Sequence, residues 1–199
     1  MEVGASWLLA ALGFAVAMSG TPGPNNAMVA ASGANFGLRR SLPHMLGVTL
    51  GFPAMLLAVA LGAGEALRAA PGLHAALRWA GAAWLLVMAW RIATAAPEAP
   101  GAAPRGAPMS FLAAAAFQWV NPKAWVIALA AFAAYTTPGA AVAQAAVLAL
   151  LFALVTLPLL AGWALLGVAS ARLLGPSGLR WFNRAMALLL VLSLLPLLG

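Results

Sequence analysis

Cysteine is absent from the 199 residues, and carboxylates are nearly so: Glu2, Glu65 and Glu98 are the only acids. The missing thiol excludes disulfides, thiolate nucleophiles and cysteine-based metal or redox sites together. With only His44 and His74 beside the three acids, a metal centre has no deep ligands to use. Charge of either sign is scarce: charged residues make up 7% of the chain and hydrophobic ones 65%. That is too little charge to cover a soluble domain, so the composition predicts an integral membrane protein.

The net charge is +7, which in a soluble chain would suggest nucleic acid. Here the arginines fall singly or in pairs between apolar stretches, a pattern of membrane orientation rather than of a nucleic-acid face. No nucleic-acid partner is expected, and the expected surroundings are membrane lipid.

Long apolar runs are what the sequence has in abundance. A bilayer crossing takes about 20 residues, and runs of that order lie at about 7–33, 43–65, 73–95, 109–135, 141–169 and 179–198. None alternates faces as a barrel strand would, so the runs predict six transmembrane helices in an all-α fold. The first run carries Glu2 in place of a basic start and continues to about Gly33, and is therefore expected to stay as a membrane helix rather than to be a cleaved signal. Between the third and fourth runs, Ala96 to Pro108 holds four prolines and two charges, the composition of an irregular linker. The chain thus divides into 1–95, the linker 96–108, and 109–199, two three-helix halves of one membrane domain.

The halves look related. Leu77-Arg78-Trp79 and Leu179-Arg180-Trp181 are 102 residues apart, as are Trp7 and Met109 at the starts of the first and fourth runs, and Pro53 and Pro158 are 105 apart. An odd number of helices per half makes the second copy inverted relative to the first, as in many secondary transporters. With the N-terminus outside, the cytoplasmic loops hold Arg39, Arg40, Arg91, Arg105, Arg172, Arg180 and Arg184, against Arg68 and Arg78 outside. Seven against two predicts that both termini lie outside the cytoplasm.

Two of the runs are broken. Thr21-Pro22-Gly23-Pro24-Asn25-Asn26 interrupts the first: two prolines remove donors, and the asparagines offer amides at membrane depth. Gln118, Asn121, Pro122 and Lys123 interrupt the fourth at the corresponding place. Paired breaks of this kind point to a substrate site near the midplane, because unpaired backbone at that depth is tolerated only where protein or a wet cavity satisfies it. The candidate binding residues are therefore Pro22, Gly23, Pro24, Asn25, Asn26, Gln118, Asn121, Pro122 and Lys123.

These residues carry a family resemblance. TPGPNN at 21–26, SGANFGLRR at 32–40, GVTLGF at 47–52 and FQWVNPKAW at 117–125 are similar to the lysine-exporter (LysE/RhtB-type) family of bacterial amino-acid exporters. Within it, WAGAAWLLVMAWRIATA at 79–95 resembles the cysteine and O-acetylserine exporter branch. The resemblance implies an exporter of small amino acids or their derivatives in the cytoplasmic (inner) membrane, driven by proton antiport, with two inverted repeats. Members that export basic amino acids carry acids in the second helix and after the Asn-Pro motif. Here those stretches read Val48-Thr49-Leu50 and Lys123-Ala124-Trp125-Val126, which points to a neutral, zwitterionic substrate of the cysteine/O-acetylserine, threonine/homoserine or leucine type.

Lys123 is the only lysine in the chain. Arginine stays charged in proteins, whereas lysine can give up a proton. Lys123 is therefore the coupling candidate, binding the substrate carboxylate when protonated and losing its proton on the return step. A structural lysine pairing with carbonyls freed by the first break, or reaching the interface, fits the same position. The start of the helix after Pro24 also suits an anion. Trp119 and Trp125 are candidates for the pathway, and Arg39 and Arg40 for a loop anchor or a gate. Gly47 and Gly51 form a GxxxG pair, suited to close packing inside the bundle or to a homo-oligomer.

No cofactor is expected. An exporter or channel for another solute is the alternative within transport. An intramembrane enzyme is disfavoured because the chain has neither GxSxG nor HExxH.

Overall fold

A computed structural model describes residues 3–95 and 106–195. Most of the linker, together with Glu2, Glu98, Arg105 and Pro196, lies outside the described residues, and the side chains of Arg68 and His74 are likewise not described.

The described chain is helical, with no strand. Helix α1, Ala5–Gly20, ends where Thr21 turns extended (φ −62°, ψ 140°). The residue before a proline is pushed out of the α region, and Pro22 does this to Thr21. Gly23 is fully extended, and Pro24 then takes the first position of α2, Pro24–Ala58, where its missing N–H costs nothing. A π-helical turn, Val59–Ala63, leads to α3, Gly64–Ala69, and then to α4, Pro71–Ala93. Helix α5, Phe111–Phe117, is followed by the turn around Gln118–Asn121. Helix α6, Pro122–Tyr135, again opens on a proline, and α7 runs from Ala141 to Leu192.

Two of these helices double back. At Gly37 the backbone leaves the helical region (φ 78°, ψ 165°), a conformation open almost only to glycine. Ser32 and His44 would be about 18 Å apart along a straight helix, yet Ser32 Oγ lies 3.1 Å from His44 Nδ1. Gly175 (φ 62°, ψ −175°) does the same in α7. The α7 residues Gly167 and Asn183 both meet one short stretch of α2, Gly167 against the backbone at Ala30 and Ala34 and Asn183 against Asn35. A straight helix would hold them about 24 Å apart. The internal prolines Pro43, Pro53, Pro158 and Pro176 sit within helix, and the departures from helical geometry in α2 and α7 are at the glycines instead.

Three helical stretches, Pro24–Leu67, Pro71–Ala93 and Ala141–Leu192, are long and apolar enough to cross a membrane, and Ala5–Gly20 and Pro122–Tyr135 are shorter apolar helices. Large apolar side chains point outward along them: Leu9 and Trp90 are 70% and 72% exposed. On a soluble protein such a surface would drive aggregation; on a membrane protein it is the lipid-facing belt.

Inside, three apolar clusters form the core. Trp7, Phe52, Ile127 and Phe152 belong to one, Met28, Leu85, Phe117 and Leu190 to a second, and Val29, Met45, Val48 and Leu160 to a third. Lipid removes most of the hydrophobic drive between helices, so close approach of backbones has to hold them. Gly33 faces the Ala164 carbonyl and Gly167 the Ala30 carbonyl, a reciprocal contact between α2 and α7 that any Cβ would block. Gly47 and Gly51 are pressed against Phe111 and Ala115 of α5, so the GxxxG pair is spent within the chain.

Candidate functional site

The two breaks meet. Lys123, in the first turn of α6, extends its ammonium onto the end of α1: Nζ donates to Thr21 O at 2.8 Å, Thr21 Oγ1 at 2.9 Å and Pro22 O at 3.3 Å. An ammonium has three donors, and three acceptors surround this one. Gly23 leaves room for the lysine stem, since a Cβ there would stand 2.8 Å from Lys123 Cδ. In this conformation the lysine therefore ties the carbonyls freed by the first break to the second break.

The asparagines divide the remaining work. Asn26, which is buried, donates Nδ2 to Ser19 O and Thr21 O, both at 2.9 Å, so the Thr21 carbonyl accepts from Asn26 and Lys123 at once. Asn25 and Gln118 form a reciprocal amide pair, Nδ2 to Oε1 at 2.9 Å and Nε2 to Oδ1 at 3.2 Å. Gln118 Nε2 also reaches Ala114 O at 2.9 Å, within the same helical turn. Asn121 caps α6 by accepting from Lys123 N at 3.2 Å. Gly23 gives α2 no side-chain cap, so the first N–H groups of α2 at Asn25 and Asn26 are left to other partners.

Of the expected residues, Pro22, Gly23, Asn25, Asn26, Gln118, Asn121 and Lys123 converge here, and Pro24 and Pro122 act by opening the two helices. Trp119 and Trp125 pack edge to face, and Trp125 Nε1 donates to Trp119 O at 2.7 Å, so the pair braces the second break. Arg40 lies elsewhere, donating to Gly106 O at 2.9 Å and sitting over the Phe36 ring. Arg39 shares its exposed turn.

A cavity of about 50 Å³ opens between the breaks, lined by Ser19, Asn25, Gln118, Lys123 and Thr156 among others. Its volume is that of one or two water molecules at about 30 Å³ each, below what an amino acid needs. Ser19 and Thr156 share a hydroxyl bond of 3.1 Å on its wall. Sequence reasoning missed Thr156, one polar residue in a long apolar run. It also missed the pairing of Asn35 with Asn183, 2.9 and 3.0 Å apart through both amide atoms, which makes Asn183 a polar contact inside the bundle.

Residues 16–196 match the family model described as LysE type translocator. The chain belongs to the LysE-type translocator family. The cysteine/O-acetylserine efflux protein of Escherichia coli K12 is 34% identical over 173 residues, covering 86% of this chain and 87% of that protein. Its counterparts in Shigella flexneri serotype 5b and Shigella sonnei show the same identity and coverage. No solved structure matches the chain. This LysE-type protein is thus a multi-pass membrane protein of a transporter family, homologous to efflux proteins, and not an enzyme.

Proposed function

We propose that this protein is a secondary active exporter of small neutral amino acids or their derivatives, with cysteine and O-acetylserine as its first candidates. It works in the inner membrane by alternating access and proton antiport, with both termini outside the cytoplasm. Counting the reversals at Gly37 and Gly175 as loops gives six spans, two inverted three-helix repeats whose first and fourth members are broken at mid-depth. The observation that carries the reading is the meeting of the two breaks, with Lys123 of one on Thr21 and Pro22 of the other and Asn25 on Gln118. Interrupted spans facing each other across an internal repeat are the usual architecture of a transporter's substrate site. The 34% identical relatives named for cysteine and O-acetylserine efflux supply the substrate class. Among the described residues no carboxylate lines the cavity, which leaves a basic side chain without a counter-charge.

Charge makes the coupling economical. A neutral substrate gains nothing from membrane potential unless a charge moves the opposite way, worth about 2.3 kcal/mol per charge per 100 mV. Among the described residues lining the cavity, Lys123 is the only titratable one. A substrate carboxylate arriving at the start of α2 competes with Thr21 and Pro22 for its ammonium, and loss of the proton on the return step releases the clamp.

Counterflow into proteoliposomes, across a panel of amino acids with and without a pH gradient, tests this reading. Cysteine or O-acetylserine should exchange, and the pH gradient should drive accumulation. Exchange of no amino acid rejects the exporter, and a preference for lysine or arginine rejects the charge argument.

A further inference from the structure

A second cavity, of about 320 Å³, lies between both parts of α2, α4 and α5, and its lining includes Ser32, His44, Trp84, Met88, Arg91 and Met109 and none of the residues at the two breaks. That volume is at the lower edge of the range of small-molecule sites, about 300–1,000 Å³. Its walls are mostly apolar. The polar exceptions are Ser32, Asn35, Arg91 and Ser110, together with His44 and Trp84, whose Nε2 and Nε1 are buried atoms without a hydrogen-bond partner among the described residues. Buried polar atoms are nearly always paired, so two orphans on residues that line one cavity need an explanation. Thr49 Oγ1 is also unpaired, but Thr49 does not line this space.

The fold holds both rings in place. His44 is 1% exposed and its Nδ1 is fixed by Ser32 Oγ at 3.1 Å, across the reversal at Gly37. Trp84 stacks on Phe117, centroids 6.4 Å apart and 24° between planes. An indole N–H can only donate, and a guanidinium can only donate. Trp84 and Arg91 therefore suit an anion, and no carboxylate of the described chain lines the cavity to take that place. His44 Nε2 can accept or donate according to which way the bond between Nδ1 and Ser32 runs.

We propose that this cavity is the loading site of the exporter and that it receives the carboxylate of a free amino acid, held by Trp84 Nε1 and Arg91, with His44 Nε2 on the ammonium. It rests on the efflux reading and adds to it a place and a ligand set. The cavity borders Ala95, next to the linker, and Ala107, within it, and the arginine distribution puts the linker in the cytoplasm. The substrate then enters where export must begin and passes to the smaller space between the breaks.

The test uses the full-length protein in detergent and in proteoliposomes, with radiolabelled cysteine as probe. Trp84→Phe keeps a ring against Phe117 and removes only the N–H. It should raise the cysteine concentration for half-maximal binding about tenfold, the weight of one hydrogen bond to a charged group. Arg91→Gln should do the same, whereas Trp79→Phe, on an exposed ring, should change nothing. Cysteamine, which lacks the carboxylate, should fail to compete. Binding within twofold of wild type in both Trp84→Phe and Arg91→Gln overturns the site, as does competition by cysteamine equal to that by cysteine. Equilibrium binding keeps this separate from the transport reading. A protein that binds cysteine in a Trp84-dependent way but shows no counterflow retains the site and loses the exporter. One that exchanges cysteine with Trp84→Phe unchanged retains the exporter and loses the site.

Discussion

The Thr21 carbonyl shows what the break asks of single residues, because it accepts from Lys123 Nζ and Asn26 Nδ2 together. Asn26 is buried, so Asn26→Ala takes the side-chain donor from Ser19 O and one of two from Thr21 O. It is expected to cost about 1–3 kcal/mol of stability, read as a lower melting temperature of the purified protein with the helical spectrum kept. Lys123→Ala has a different signature. Thr21, Pro22 and the lysine head are at the open side of the contact, so the fold should survive while pH-driven accumulation of cysteine falls at least about tenfold. Full proton-coupled export by Lys123→Ala would remove the lysine from the coupling. Lys123→Arg should not rescue it, because the guanidinium is wider than the ammonium, sits beside the tight Gly23 contact and does not give up its proton.

At the scale of elements, the prolines shape less than their number suggests and the glycines more. Pro53 and Pro158 lie inside helices, while the chain reverses at Gly37 and Gly175. A side chain at those dihedrals is strained by about 1–3 kcal/mol. Gly37→Ala and Gly175→Ala should each lower the melting temperature by that equivalent, whereas Gly162→Ala, with open space at its Cβ, should be neutral or stabilising. The breaks follow the other rule. Pro24 and Pro122 each open a helix at a position with no N–H to lose, so two consecutive helices form where one long span would otherwise run.

For the whole molecule, close glycine contacts join the two halves of the chain. The first part of α2 meets α7 through Gly33 and Gly167, and the second part of α2 meets α5 through Gly47 and Gly51, so each half of the chain packs mainly on the other half. The proposed topology has a direct test because the chain contains no cysteine and a single introduced thiol is the only label site. Ala69→Cys, exposed at the end of α3, and Leu173→Cys, 83% exposed beside Gly175, should be labelled from opposite sides of intact cells. Leu173→Cys should react only after the inner membrane is made permeable. Labelling of both from one side would overturn the inverted arrangement, and labelling with sides exchanged would overturn the orientation.

The sequence by itself determined the helical class, the approximate positions of the apolar runs, both helix breaks and the family. Each of these is written locally, in hydropathy, proline or a contiguous motif. It could not say that Thr21 would stand opposite Lys123, that Asn25 would pair with Gln118, or that Asn35 would pair with Asn183, since those partners are separated by 102, 93 and 148 residues and only packing brings them together. Nor could it show the cavity around Trp84 and His44. A tryptophan and a histidine in apolar surroundings look like ordinary core residues until the tertiary structure leaves one nitrogen of each without a partner. Local chemistry fixed where the helices stop, and the glycine contacts between distant segments decided which stopped ends would face each other.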